Sequence, residues 1–303
     1  MRSRQYGVAI VLAMGVVALA AMSATAMMMT QSTWSRESEL TVDHTQAQTL
    51  IQAGVDWSRA ILSDDRRLGN TDHLGEPWAM RLPPMSVESG ELSGYIEDQQ
   101  GLFNLNNVVK SGKVNPAQLE HFQRLLALLS LPAALADTLA DWIDADSEAR
   151  PQGAEDETYM SSKPAYLAAN RPLADLSELA LVRGFDDAVR ARLRAFVTVL
   201  PVFTPVNVNT ASPEVLAAVV DGLGLDGARE LVAQRQNTYF RDREDMLRHL
   251  PQGVTMAIED TSFSSNYFMT TLRVTIGSAQ ARGTALLARG TAGWPAIVWR
   301  KTL

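Results

Sequence analysis

Residues 8–29 form one uninterrupted apolar run, VAIVLAMGVVALAAMSATAMMM, directly behind a short basic leader that carries Arg2 and Arg4. The run holds no charged side chain, and Ser23 and Thr25 are its only hydroxyl-bearing residues. At 1.5 Å of rise per residue, a helix of this length reaches roughly 33 Å, enough to cross a hydrocarbon core of about 30 Å. Positive charge lies only on the N-terminal side, which keeps the N-terminus cytoplasmic and sends the rest across. Two readings fit. One is a retained anchor. The other is a cleaved secretory signal, since Ala24-Thr25-Ala26 is an acceptable small-x-small site. The run is longer than the roughly 7–15 residues of a signal core. Both readings place the body outside the cytoplasm.

Composition narrows the partners. The chain has no cysteine, so its fold uses neither disulfides nor Cys-ligated metal. The formal net charge is −7, and loss of Arg2 and Arg4 with the leader makes the body more acidic still. An acidic exported body is a poor polyanion binder, because nucleic-acid affinity comes mostly from Lys and Arg on phosphates. The roughly 270 residues beyond the run suffice for one large or two modest domains.

Helical periodicity continues past the run, from Trp34 to about Leu62. Ala47, Leu50, Ile51, Gly54, Val55, Ile61 and Leu62 recur at spacings of three and four, with charged and polar residues on the other side. Residues 30–65 therefore read as an aqueous extension of the membrane helix, stopped by Gly69 and Asn70. Residues 66–102 are turn-rich, with short strands expected at Met80–Leu82 and Leu92–Ile96.

From Asn115 to about Leu200 the pattern is helical. It opens on an Asn115 cap with Pro116 behind it, and a Pro-, Gly-, Ser- and Asp-rich loop from Asp146 to Pro172 interrupts it. Further helix is expected at Leu173–Leu181 and Asp186–Val199. Residues 204–250 repeat the style, with Ser212 and Pro213 opening a helix that turns at Gly222-Leu-Gly224. An Asn-x-Asn element precedes each half, Asn104/Asn106 and Asn207/Asn209, and suggests a degenerate duplication. Residues 263–303 change period. Asn266–Ile276, Thr284–Ala288 and Ala296–Arg300 are rich in β-branched and aromatic residues and are separated by glycines, as in a closing antiparallel meander. A sheet begun before residue 103 and finished after residue 262 accounts for this order, with a helical domain inserted between (halves about 103–200 and 204–250).

An acidic stretch at 137–157 is the main chemical constellation. Asp137, Asp141 and Asp144 recur at i, i+4 and i+7, and for Asp137 the favoured reading is the solvated side of an amphipathic helix. Asp144, Asp146, Glu148 and Glu155 match EF-hand acidic spacing at loop positions 1, 3, 5 and 12. Position 6 is Ala149 rather than Gly, and Pro151 and Pro164 leave no good exiting helix, so a true EF-hand is not expected. The Gly222-Leu-Gly224 turn resembles a helix-hairpin-helix, in which backbone amides meet a DNA phosphate. Here Asp221 and Asp226 flank it, so a helical module for protein contacts is favoured over DNA binding. The four histidines are scattered and no catalytic signature occurs, so no enzyme activity is expected.

These residues together resemble a known family. Gly7 before an apolar helix looks like a type III, prepilin-type signal. GVAIVL at 7–12, DHLGEPWA at 72–79, IEDQQGLFNLN at 96–106, LADWIDAD and GAEDETY within 139–159, PAYLAANRPLADLSEL at 164–179 and VNVNTAS at 206–212 carry the likeness. They are similar to the GspK-type minor pseudopilins of type II secretion systems. The resemblance implies an α+β, type IV pilin-like fold, a long N-terminal helix plus an antiparallel sheet, with a large inserted SAM-like, helix-hairpin-helix-like α-domain. It implies cleavage between Gly7 and Val8 by a prepilin peptidase and N-methylation of Val8. It also implies a single-pass inner-membrane protein with its bulk in the periplasm.

Relatives usually carry Glu at the fifth mature position, where this chain has Leu12. A buried carboxylate without its partner costs several kcal/mol, so Leu12 suits a tip subunit with no neighbour ahead of it. The implied partners are other minor pseudopilins, the major pseudopilin and the inner-membrane secretion platform. A secreted substrate and the outer-membrane secretin are further contacts, and nucleic acid is not expected. The resemblance finally implies structural Ca²⁺ in the α-domain, with Asp141, Asp144, Asp146, Glu155 and Asp156 as candidate ligands. The rivals are a membrane-anchored periplasmic DNA-uptake protein using the hairpin and an anchored periplasmic enzyme.

Overall fold

The computed structural model describes residues 5–87, 90–291 and 293–302, so Arg2 and Arg4 of the leader lie outside the described residues. Helix α1 runs unbroken over Gln5–Leu68. Its apolar part stands clear of the body, exposed from Ala9 to Gln31. From Ala47 onward one face is buried: Ala47, Ile51, Val55 and Leu62 meet Leu272, Val274, Ala281, Ala285 and Leu287 in a shared core. Gly54 permits the close approach, since a Cβ there would press on the Leu272 side chain at 2.8 Å.

The long strands are β1 (Leu82–Val87), β2 (Gly90–Asp98), β9 (Tyr267–Ile276), β10 (Ala279–Ala288) and β11 (Ala296–Thr302). Between β2 and β9 lie six two-residue strands: β3 (Phe103–Asn104), β4 (Val109–Lys110), β5 (Lys113–Val114), β6 (Val197–Thr198), β7 (Val206–Asn207) and β8 (Thr261–Ser262). The five long strands form one antiparallel sheet in the order β1-β2-β9-β10-β11. The chain leaves the sheet at the end of β2 and rejoins it beside the point of departure, because Asp98 pairs with Phe268. β1 begins at Leu82, two residues later than the strand expected from Met80. Met80 instead ends a 3-10 turn at Pro77–Ala79.

The inserted segment has its own core. Helices α2 (Pro116–Leu128), α3 (Ala134–Ile143), α4 (Asp156–Met160), α5 (Asp187–Leu193), α6 (Pro213–Val219), α7 (Gly224–Arg235) and α8 (Arg243–Leu247) surround it. Phe122, Leu125 and Leu126 of α2 lie in it with Leu135 and Leu139 of α3 and Val215, Leu216 and Ala218 of α6. Less of the segment is α-helical than its periodicity predicts. Residues 176–181 form only a 3-10 turn, and residues after Leu193 leave the helix so that Val197 and Thr198 can pair with Phe103 and Asn104. The β-branched run Val197-Thr-Val199 favours strand once a partner lies beside it.

The two Asn-x-Asn elements do the same work. Each first asparagine ends a short strand in a parallel pair, β3 with β6 and β7 with β8, and accepts from the amide two residues on. Each second asparagine clamps one distant residue through both backbone groups. Asn106 accepts from the Leu173 amide at 2.9 Å and donates to the Leu173 carbonyl at 3.0 Å. Asn209 does so at Phe240, at 2.9 Å and 2.8 Å. Asparagine suits this role because its amide carries a donor and an acceptor side by side.

Candidate functional site

The loop from Asp144 to Glu155 leaves the end of α3 and enters α4, with Asp144 as the C-terminal cap of one and Glu155 as the N-terminal cap of the other. A short exiting helix therefore forms, contrary to the expectation drawn from Pro151 and Pro164. It is a single turn because Ser161 to Pro164 follow at once. Carboxylate oxygens of Asp144, Asp146 and Glu155 lie within 4.8 Å of one another. Asp144 and Glu155 are buried, whereas Asp146 is exposed and accepts from the Glu148 amide at 2.9 Å. One oxygen of Asp144, one of Asp141 and both of Glu155 are buried without a hydrogen-bond partner.

Such groups are costly to leave charged. Burial first, then the neighbouring Asp146 and Asp141, pushes the Asp144 carboxyl up to about 6. Burial and then Asp141, Asp144 and Asp156 push Glu155 up to about 7. A divalent cation reverses this logic by stabilising the ionised forms, and hard carboxylate oxygens are the donors that Ca²⁺ takes. The residues fit the ion.

Asp141 is fully buried beside this group rather than in it. It accepts from the Arg150 amide at 3.1 Å, and a Cβ at Gly153 would collide with its carboxylate. Burial raises its pKa as well. Asp156 is turned away: its Oδ1 accepts from the Ala168 amide at 2.9 Å. Asp137 is not simply solvated, since it pairs with Arg150 at 3.0 Å and accepts from the Gln152 amide, tying the loop back to α3. The spacing of acids found the cluster, but only the fold separates ligand candidates from loop fasteners.

The hairpin between α6 and α7 has Gly222 and Gly224 at φ of 76° and 64°, as a tight turn requires. Asp221 is paired with Arg124 and Asp226 with Arg229, so the turn offers phosphate no free cation from these pairs. Gly7 and Val8 lie within α1, and Leu12 is exposed on its apolar part.

One long helix, apolar at its start and laid at its end across an antiparallel sheet, defines a pilin-like subunit, and the apolar start is a candidate membrane anchor. A large helical domain is spliced between two of its strands. Comparison with known proteins identifies the kind. A profile described as "Type II secretion system (T2SS), protein K" matches residues 206–264, and a companion of the same description matches residues 101–202. Type II secretion system protein K of Pseudomonas aeruginosa is 37% identical over 306 residues, covering 97% of this chain and 91% of its own. That of Klebsiella pneumoniae is 33% identical over 306 residues, covering 95% and 94%. A chain of the solved GspK-GspI-GspJ complex from enterotoxigenic Escherichia coli superposes with a TM-score of 0.71 at 23% identity, over 88% of this chain and 99% of its own. The chain belongs to the type II secretion system protein K family. Its function is that of a minor pseudopilin in type II secretion.

Proposed function

We propose that the protein is the tip subunit of the pseudopilus, starting and capping the filament for protein export across the outer membrane. The observation that carries this reading is the shape of the chain. A helical domain larger than the sheet is spliced in at one end, where β2 and β9 meet, and α1 runs free from the other. Such bulk suits the end of a bundle of helices and not its interior. Leu12 agrees, because α1 holds no carboxylate in its apolar part that would need a neighbour's amine.

In this reading the prepilin peptidase cuts between Gly7 and Val8, and the α-amine of Val8 is methylated. The mature helix sits in the inner membrane with the body in the periplasm, and joins other minor pseudopilins and the major pseudopilin. The solved relative, held in a complex with GspI and GspJ of the same secretion system, supports such partners. The secretion platform, the secretin and the exported substrate are the remaining contacts. Ca²⁺ held by Asp144, Asp146 and Glu155, with Asp141 behind them, fastens the α3–α4 loop by neutralising acids that otherwise repel. The N-terminal sequence and mass of the mature protein test the assembly reading. A methylated start at Val8 is expected, and a start at Met27 would overturn it.

A further inference from the structure

A second acidic group lies far from the calcium loop, where α1, the sheet and the inserted domain meet. Asp65 from the last turns of α1, Asp72 and Glu76 from the loop that follows it each place a carboxylate oxygen within 4.8 Å of the other two. Arg289, just after β10 and only 3% exposed, reaches into them. It donates to Asp65 at 2.7 Å, to Asp72, and to the Ser265 carbonyl at 2.7 Å, while its guanidinium stacks over Phe268 at 4.6 Å. Glu76 accepts from the Trp78 indole at 2.7 Å and from the His73 amide at 2.8 Å.

The knot holds both ends of the inserted domain. Asp72 accepts from the Ser265 amide at 2.7 Å, and its carbonyl accepts from Asn207 at 3.1 Å. Asp98, at the end of β2, accepts from Asn207, Thr210 and Ser265 at 2.9, 2.6 and 2.6 Å. His73 stacks on Tyr239 of the inserted domain, ring centroids 3.9 Å apart. The charges facing this point are three carboxylates, the nearby Asp98 and a single guanidinium. His73 faces the group too, and burial holds its pKa below the ordinary imidazole value while Asp65 and Asp72 pull it up.

We propose that the knot is a proton-sensitive joint: a proton shared between Asp65 and Glu76 tightens the seat of the inserted domain on the sheet, and its loss at higher pH loosens it. Burial first, and then the Glu76 charge, pushes the Asp65 carboxyl up to about 6, and burial raises Glu76 and Asp98 as well. The folded joint thus binds more protons than the unfolded chain between the ordinary carboxyl range and about 6, so its contribution is full in acid and falls as pH rises through about 6.

The test uses the full-length protein in lipid nanodiscs with calcium in excess, so that the α3–α4 loop is constant. Thermal melting is followed from pH 4.5 to 8, with hydrogen exchange of the amides at 98–101 and 262–266, corrected for intrinsic rates. The wild type is expected to melt lower and exchange faster at the joint as pH rises. Glu76→Gln keeps an acceptor for Trp78 and His73 but removes the repulsion. It should flatten the pH slope and raise the melting temperature at pH 8 by about 2–4 °C. Glu91→Gln, exposed on the face of β2 opposite Asp98, should keep the wild-type slope. A flat wild-type profile, an unchanged slope in Glu76→Gln, or an equal flattening in Glu91→Gln overturns the proposal.

Discussion

Among the described residues two clusters of three acids are largely buried, and they are finished in opposite ways. Asp65, Asp72 and Glu76 have a cation of their own in Arg289, which pairs with the first two from just after β10, more than two hundred residues later in the chain. Among the described residues no ion pair reaches Asp144, Asp146 or Glu155, and Arg150 of the same loop is engaged with Asp137. The orphaned oxygens follow the same division, since those of Asp144 and Glu155 lack partners while those that face Arg289 are bonded. A side-chain cation is fixed by the chain and always present. An ion is a separate component, and its loss is a change of state. The first group therefore suits a joint whose cation never leaves, and the second, on the proposed calcium reading, a loop fastened when the ion binds.

The largest expected effect comes from removing the built-in cation. Arg289→Met leaves Asp65 and Asp72 buried and unpaired, which costs about 3–5 kcal/mol for a broken buried pair. Melting temperature at pH 7.5 should fall by about 10 °C. The loss should shrink toward pH 5, because the stranded Asp65 carboxyl, already pushed up to about 6, can then take up a proton. Thermal melts at the two pH values read both quantities, and an equal loss at each would mean that the guanidinium acts by packing on Phe268 and not by charge.

How much of this was legible in the sequence follows from the range of each interaction. The α3–α4 cluster lies within one loop, so spacing places Asp144, Asp146 and Glu155 together, but it also includes Glu148, which the fold leaves exposed outside the group. The helical period of α1 gave its buried face down to single residues such as Ile51 and Val55, since that face is set by one element. The Asn-x-Asn repeat was visible as a pattern, but the clamps on Leu173 and Phe240 were not, because each spans tens of residues. The joint was not legible at all. Nothing near Asp72 announces Arg289, and only the sheet order β2-β9-β10 brings them together. The same long-range pairing drew Val197 and Thr198 out of a predicted helix.

Removing calcium should come next in size. With the ion at about 100 times its dissociation constant, chelation withdraws roughly 2.7 kcal/mol, on the order of 5–10 °C in melting temperature. The loss should be greatest at pH 8. In the ion-free protein Glu155 and Asp144 carry raised pKa values, so stability is fullest in acid and falls as pH rises through about 6 and about 7. Glu155→Gln should therefore cut both ways. It should abolish the calcium-dependent shift and, without calcium, stabilise the protein at pH 8 by about 1–2 kcal/mol. Melts with calcium and with chelator check it, and the same substitution at Glu76 should stabilise with or without the ion.

The smallest expected effect distinguishes a ligand from a fastener. Asp156 has the same chemistry as Asp146 and stands next to Glu155, yet its Oδ1 is spent on the Ala168 amide, 2.9 Å away. Asp156→Asn keeps that oxygen and should change stability by under about 1 kcal/mol, leaving calcium affinity nearly intact apart from one lost charge nearby. Asp146→Asn removes a carboxylate from the cluster itself and should weaken calcium severalfold, while costing the ion-free protein little because Asp146 is exposed. Calorimetric titration of the two variants measures the difference. Equal weakening by both would place Asp156 among the ligands and would mean that the loop turns it inward when calcium binds.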